Sequence, residues 1–221
     1  FVGTTLRWSP GADLHRTPFS GRNFEYYSED SVLSYLMSAA QTCAMQAKGV
    51  NAAIKHFVGN DQETNRTGLC TFATEQGFRQ NSLKGFEGAF TKGGALGTMM
   101  STNRIGLETM YQNAATCTGV LRDEWGFKGV TITDSVKGDK SVYAVACLVA
   151  GTDTFNADTG RSTELLKYLV KNKDGYVLQE LRRDNKNFYY AMAQSNLVNG
   201  LTREMVVKNF VPWWPYEVLG I

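Results

Sequence analysis

The strongest constraint on the fold of this chain is the alternation of short apolar runs with segments of helical spacing. The run GVTITD (129–134) is β-branched and apolar and ends in a carboxylate, which is typical of a buried strand. Repeated strand–helix units predict a parallel sheet covered by helices. Helical spacing is found in residues 30–48, 75–92, 107–125, 139–150, 161–171 and 175–198, and extended segments are expected at residues 4–8, 12–14, 50–57, 95–101 and 151–155.

The number of these units predicts one α/β architecture, an incomplete TIM-type (β/α) barrel. A closed barrel of eight strands usually takes about 250 residues, whereas this chain has 221. About five to six βα units can be recognised, so we expect part of the barrel to be missing. The expected division is a partial barrel domain over residues 1–200 and an apolar, aromatic tail over residues 201–221.

The tail and the N-terminus bear on where the protein acts. The tail contains Trp213-Trp214, a pair that suits a membrane–water boundary. Charged residues and prolines interrupt the tail, so packing on the barrel, or the start of a further segment, is favoured over membrane association. The N-terminal segment lacks the pattern of a signal peptide, and the sequence leaves the localisation open.

The composition argues against several classes of function. The 23 Lys and Arg residues nearly balance 21 Asp and Glu residues, whereas a nucleic-acid-binding protein would normally carry a basic surface. The sequence contains two histidines, and no metal site or cofactor is expected. Wide spacing without a CxxC pair favours buried free thiols over disulfides or zinc ligands for Cys43, Cys70, Cys117 and Cys147.

Asp134 is the first candidate for chemistry. It ends the run GVTITD, so its carboxylate would be held on a rigid strand at the mouth of the sheet. A carboxylate in that position could act as a nucleophile, a general base or a metal ligand. Position alone leaves one alternative open, in which Asp134 caps the N-terminus of the next helix.

Three further groups of polar residues fall at expected strand ends or loops. Lys55 and His56 end the run VNAAIKHF and could donate hydrogen bonds to ligand hydroxyls, or could be ordinary strand-end polarity. Arg22 precedes Glu25 in a glycine-containing loop, which suits either bidentate ligand binding or a structural ion pair. The polar residues between 60 and 66 could bind sugar hydroxyls, although any exposed loop has a similar composition.

Five segments, taken in order, resemble glycoside hydrolase family 3 of the β-glucosidase type. They are HRTPFSGRNFEYYSED (15–30), IKHFVGNDQETNR (54–66), GTMMSTNRIG (97–106), LRDEWGFKGVTITD (121–134) and AGTDTF (150–155). The resemblance implies a barrel domain whose first strands are missing from this sequence. It implies that Asp134 is the nucleophile and forms a covalent glycosyl intermediate. It also implies that the substrate sugar is bound by Arg22, Lys55, His56, Ser101 and Asn103.

Two positions depart from the family's usual pattern. The nucleophile is usually followed by an aromatic residue, where this chain has Ser135, and Thr102 also replaces a usual aromatic residue. Both changes would weaken stacking on a sugar or an aglycone. The usual acid/base carboxylate lies on a separate α/β sandwich domain that this sequence does not show, and neither Asp61 nor Glu63 is favoured in its place.

The resemblance therefore implies a retaining β-glycoside hydrolase, with a β-glucosidase as the first expectation. Its substrate would be a β-glucoside or an oligosaccharide with a terminal non-reducing β-D-glucosyl residue. The alternative is an inactive sugar-binding remnant, or a fragment that needs a partner chain to supply the acid/base. A homo-oligomer or a complementing chain could cover the open sheet edges that lost strands would leave.

Overall fold

The computed structural model describes residues 5–135, 143–156 and 161–199. Its strands are β1 (Leu6–Arg7), β2 (Asn51–Phe57), β3 (Cys70–Thr71), β4 (Gly97–Met100), β5 (Arg104–Ile105), β6 (Glu108–Thr109), β7 (Val130–Ser135) and β8 (Thr154–Asn156). Its α-helices are α1 (Ser31–Gln46), α2 (Glu75–Phe78), α3 (Lys84–Thr91), α4 (Ala144–Ala150), α5 (Arg161–Lys171), α6 (Gly175–Ala193) and α7 (Asn196–Asn199). Two π-helical segments occupy Arg79–Leu83 and Ala115–Glu124, and short 3-10 turns occupy Asn23–Glu25 and Met110–Gln112.

Within the described residues, five strands form one sheet in the order β1-β2-β4-β7-β8. Every neighbouring pair in this sheet is parallel, and helical segments lie between successive strands along the chain. The spatial order follows the chain order, as it does among the strands of a (β/α) barrel. The expectation of repeated βα units in a parallel sheet is confirmed, and the C-terminal ends of β2, β4 and β7 lie at one edge.

The strand β2 runs through the middle of the core. Ala52, Ala53, Ile54 and Phe57 are fully buried, which explains why this strand is nearly continuous in apolar residues. Its register with β4 shifts between Ile54 and Phe57. The Lys55–His56 and Phe57–Val58 peptide bonds in this stretch are cis.

Aromatic side chains fill the space between the sheet and the helices that follow it. The Phe57 ring packs edge-on against Phe86 and Phe90, and Phe90 stacks on Trp125. Leu83, Phe86 and Phe90 are buried, as the helical spacing of residues 75–92 predicts. The phenylalanine rings belong to the same buried hydrophobic cluster as Met100 of β4.

Helix α1 forms where the spacing predicts it. Asp30 Oδ1 accepts hydrogen bonds from the backbone N–H groups of Val32 and Leu33, which begins the helix. Gly49, with a φ of +73°, follows its C-terminus. The apolar stripe of this helix is exposed, however, at Val32, Leu33, Leu36 and Met37.

The buried face of α1 is small and polar because α1 packs closely on α3. Its buried residues are Ser34, Ser38 and Thr42. Ser38 Oγ donates a hydrogen bond of 2.9 Å to the Gly85 carbonyl, and a Cβ atom at Gly88 would lie 2.1 Å from the Tyr35 carbonyl oxygen. Larger apolar side chains would not fit between backbones at this separation.

Residues 107–125 do not form the single helix that their spacing predicts. The chain forms β6 and a 3-10 turn first, and Asn113 Oδ1 then accepts a hydrogen bond of 3.0 Å from the Thr116 N–H. This side-chain acceptor replaces a missing helical partner and begins the π-helical segment. Cys117 and Leu121 are fully buried, whereas Leu107 is 77% exposed.

Several expectations fall partly outside the described residues. The tail 201–221 and the first part of the helix expected at 139–150 are among them, and the proposed domain division stays a prediction. No helix of the described part is long and apolar enough to cross a membrane. All four cysteines are free, but burial is confirmed only for Cys117 and Cys147, because Cys43 lies on the exposed side of α1 and Cys70 is half-buried.

Candidate active site

Asp134 lies near the C-terminal end of β7, at the edge where β2 and β4 also end. Its side chain is 15% exposed, and its Oδ2 atom lies 3.4 Å from Arg66 Nη1. The other oxygen, Oδ1, accepts a hydrogen bond of 2.7 Å from the backbone N–H of Ser135. The next described helix, α4, has Tyr143 at its N-cap, so Asp134 does not cap it.

Arg66 connects Asp134 to the rest of the site. The same Arg66 Nη1 atom lies 3.4 Å from Glu63 Oε1. Glu63 Oε1 also lies 3.5 Å from Arg22 Nη1 and accepts a hydrogen bond of 3.1 Å from Asn60 Nδ2. The carboxylate of Glu63 therefore holds the two arginines together beside Asp134.

Glu25 connects Arg22 to Lys55. Its Oε2 atom lies 2.7 Å from Lys55 Nζ, and its Oε1 atom accepts a hydrogen bond from Arg22 Nε. Partial burial pushes the pKa of Glu25 upwards, but the hydrogen bonds from Lys55 and Arg22 outweigh it and lower that pKa below its usual value. Cations and carboxylates thus alternate along a network, here called the charge network, that comprises Lys55, Glu25, Arg22, Glu63, Arg66 and Asp134.

His56 lies beside this network and is only 2% exposed. Its Nδ1 atom is 3.2 Å from the Tyr26 hydroxyl, which accepts a hydrogen bond of 3.2 Å from Asn60 Nδ2. The buried Asp13 carboxylate accepts the backbone N–H of His56 at 2.8 Å and that of Asn60 at 2.9 Å. Asp13 therefore anchors the end of β2 and the loop that follows it.

Ser101 and Asn103 lie at the end of β4 but bond mainly to each other. Ser101 Oγ donates to Asn103 Oδ1 and accepts a hydrogen bond of 3.0 Å from the Asn103 N–H. Both are buried, and no side-chain hydrogen bond joins them to the charge network in the described part of the chain. Thr102 is also buried, and Ser135 is exposed.

One carboxylate beside a strand of the parallel sheet, Asp153, does not belong to this site. Asp153 precedes β8, and its Oδ2 atom accepts hydrogen bonds from the Thr131 N–H and from Arg122 Nη2, both at 2.7 Å. Thr131 lies near the start of β7, at the opposite end from Asp134. Asp153 is therefore part of a buried structural network.

Asp61 lies on the loop after β2, where its Oδ2 atom is 3.5 Å from Arg16 Nη1. Burial, with a further contribution from the Asp13 carboxylate, raises the pKa of Asp61 to about 7, although Arg16 opposes the shift. No contact joins Asp61 to Asp134 within the described residues.

The structure thus brings Asp134, Arg22, Lys55 and His56 into one connected cluster. Sequence reasoning left Arg66 and Glu63 in a loop of unassigned polar residues, and it did not single out Tyr26 or Asp13 at all. A weak signal existed for Arg66 and Glu63, because they share the segment IKHFVGNDQETNR with Lys55 and His56. No group of three or more potential metal ligands is found among the described residues.

A comparison with protein families shows to which family this chain belongs. A family model described as the glycosyl hydrolase family 3 N terminal domain matches residues 1–186. The chain belongs to glycosyl hydrolase family 3. The family assignment that the five sequence segments suggested is therefore confirmed.

Similar proteins extend well beyond the length of this family 3 chain. A β-glucosidase of Ruminococcus albus is 42% identical over 125 residues, which are 57% of this chain and 13% of that enzyme. An exo-α-(1→6)-L-arabinopyranosidase of Bifidobacterium longum is 38% identical over 125 residues, covering 57% of this chain and 16% of that enzyme. The matched residues therefore span about a sixth or less of the length of these two relatives.

Solved structures support the fold. The structure of β-glucosidase 3B from Thermotoga neapolitana in complex with glycerol matches with a TM-score of 0.78 and 34% identity. The match covers 87% of this chain and 28% of that structure. The described parallel sheet and its helices thus form part of a (β/α) barrel, as the sequence predicts.

Proposed function

We propose that this chain carries the nucleophile half of a retaining β-glycosidase, with Asp134 as the nucleophile. The carboxylate would attack the anomeric carbon, the bond to the leaving oxygen would break, and a covalent glycosyl intermediate would form on Asp134. Water would then release the sugar and restore the carboxylate. The first expectation for the substrate is a β-D-glucoside.

The observation that carries this proposal is the contact of Asp134 with the charge network. A carboxylate at the end of a barrel strand lies 3.4 Å from Arg66, and Arg66 shares Glu63 with Arg22. Fixed cations beside the nucleophile give a sugar several hydrogen-bond donors at defined positions. Arg22, Lys55, Arg66 and His56 are the proposed donors.

A complete retaining reaction also needs an acid that protonates the leaving oxygen. The two carboxyl groups of such enzymes are about 5–5.5 Å apart. Glu63 accepts hydrogen bonds or ion contacts from Arg22, Arg66 and Asn60, which suits a positioning role rather than proton donation. We therefore propose that another domain or chain supplies the acid.

The test is to label the chain with 2-deoxy-2-fluoro-β-D-glucosyl fluoride, whose good leaving group removes the need for an acid. Mass spectrometry should find one glycosyl adduct, on the peptide that contains Asp134. Asp134→Asn should abolish the adduct, whereas Asp123→Asn, at an exposed position, should retain it. A folded chain without an adduct, or an adduct that survives Asp134→Asn, would refute the proposed nucleophile.

A second candidate function is sugar binding without hydrolysis. It is favoured by Ser135 and Thr102, which leave the site without the aromatic side chains that usually stack on sugars. Calorimetry with glucose would then detect binding while the labelling experiment detects no adduct. Relatives of similar identity include both a β-glucosidase and an arabinopyranosidase. Labelling with the corresponding fluoro-arabinosyl probe would therefore show which of the two sugars the site accepts.

A further inference from the structure

Tyr26 and His56 form a buried pair next to the charge network. Tyr26 is 6% exposed and His56 is 2% exposed. Their ring centroids are 6.3 Å apart with an interplanar angle of 79°, and the Tyr26 hydroxyl lies 3.2 Å from His56 Nδ1. The pair is held from both sides, because Asp13 anchors the backbone of His56 and Gly11 packs against the Tyr26 ring.

The other partners of the two side chains favour one direction for the hydrogen bond between them. Asn60 Nδ2 donates to the Tyr26 hydroxyl oxygen at 3.2 Å and to Glu63 Oε1 at 3.1 Å. The carboxylate accepts only, so the amide of Asn60 must present its NH₂ group to both oxygens. The Tyr26 oxygen therefore receives a hydrogen bond from Asn60 and has its own proton left to donate.

Among the described residues, His56 Nδ1 is the acceptor that lies within hydrogen-bond distance of the Tyr26 hydroxyl. Burial, with a further contribution from Asp13, raises the pKa of the Tyr26 hydroxyl, which keeps it protonated. The Asp13 carboxylate is 3.7 Å from His56 Nδ1, too far for a hydrogen bond, and it already accepts two backbone N–H groups. An Nδ1 that accepts from Tyr26 carries no proton, so in the neutral ring the proton lies on Nε2.

We propose that Tyr26 is a positioning residue that holds His56 as the neutral Nε2–H tautomer. His56 then donates a hydrogen bond from Nε2 to a hydroxyl of the bound sugar. No hydrogen bond to Nε2 is made within residues 5–135, 143–156 and 161–199, so this nitrogen is left for a ligand. The ligand in this statement rests on the proposed function, whereas the tautomer concerns the protein alone.

The test is nitrogen NMR of the ¹⁵N-labelled full chain near neutral pH, without ligand. The chain has two histidines, so the spectrum of His15→Gln assigns the signals of His56. The wild-type ring should show a protonated Nε2 and an unprotonated, hydrogen-bonded Nδ1. A protonated Nδ1 in the wild type, in either the other tautomer or a doubly protonated ring, would overturn the proposal.

Tyr26→Phe removes the hydroxyl and keeps the ring that fills the core. The variant should shift the Nδ1 resonance of His56 and increase the population of its Nδ1–H tautomer. Calorimetry should show glucose binding that is weaker by about tenfold, which is the usual scale for one lost hydrogen bond. Tyr27→Phe is the matched control, because the neighbouring Tyr27 hydroxyl bonds to Gln41, and it should leave both readouts unchanged. An unchanged Nδ1 resonance in Tyr26→Phe would also overturn the proposal.

The two proposals can fail separately. A wild-type chain that shows the expected resonances but forms no glycosyl adduct would reject the nucleophile role of Asp134 and leave the role of Tyr26 standing. A chain that forms the adduct but carries a proton on His56 Nδ1 would do the opposite.

Discussion

Arg66 Nη1 lies 3.4 Å from Asp134 Oδ2 and also 3.4 Å from Glu63 Oε1. One guanidinium nitrogen therefore serves both the proposed nucleophile and the carboxylate that holds Arg22. Glu63 and Arg66 lie on the loop after β2, whereas Asp134 lies on β7. Only the packing of the parallel sheet brings these two segments together.

Removal of the Arg66 charge should slow the covalent step. Arg66→Met keeps a similar length but loses the contacts that hold the carboxylates of Asp134 and Glu63 in place. Misplacement of the nucleophile should lower the labelling rate by roughly 10- to 100-fold. The rate of adduct formation with the fluoro-glucosyl fluoride measures the effect. Arg79→Met is the control, because Arg79 pairs with Glu124 on the surface. Equal rates for Arg66→Met and the wild type would contradict the prediction.

The raised pKa of Asp61 predicts a pH-dependent stability. Its pKa is about 7 in the folded chain and 3.8 for the ordinary group, so the folded state binds more protons between these values. The free energy of unfolding should fall as pH rises from about 4 to 7, by about 3 kcal/mol once the one-fifth exposure of the side chain is allowed for. Between about pH 5 and pH 8 the same titration amounts to about 2 kcal/mol.

Urea unfolding at about pH 5 and pH 8 measures this slope. Asp61→Asn carries no titrating group and should be less pH-dependent than the wild type by that amount. Asp123→Asn, at an exposed position, should keep the wild-type slope. Identical slopes in the wild type and Asp61→Asn would count against a raised pKa.

Asp153 should be important for stability and not for chemistry. Its side chain is fully buried, and it accepts hydrogen bonds from Arg122, Thr131 and Asn187. Asp153→Asn would place an NH₂ group against donors and leave the Arg122 charge without its partner, at a cost of about 3–5 kcal/mol. Chemical denaturation should detect this loss, and a change below about 1 kcal/mol would show that the network is not essential.

The contact between α1 and α3 should not tolerate a methyl group at Gly88. The new Cβ would lie 2.1 Å from the Tyr35 carbonyl oxygen, and overpacking of this kind costs about 1–3 kcal/mol, more than the helix propensity gained. Gly119→Ala is the matched control, since its Cβ would meet its nearest neighbour at 3.9 Å. Thermal unfolding should show a lower Tm for Gly88→Ala only, and equal Tm values would contradict close packing.

The sequence by itself determined the alternation of strands and helices that makes the parallel sheet, and it placed Asp134 at the end of a buried strand. These features are local, because β-branched runs, helical spacing and cap residues such as Asp30 act within a few residues of each other. The resemblance of five short segments was also sufficient to identify the family, because each segment keeps its residue pattern regardless of the rest of the chain.

Only the tertiary structure decided which polar residues meet and which faces are covered. Helical spacing places Val32 and Leu36 on one apolar stripe of α1, but the close approach of α3 buries Ser34 and Ser38 instead. Asp153 and Asp134 both adjoin strands in the sequence, yet they lie at opposite ends of the sheet. The connection of Arg66 to Asp134 joins segments distant in the chain, and such a contact depends on strand order and register, which periodicity does not encode.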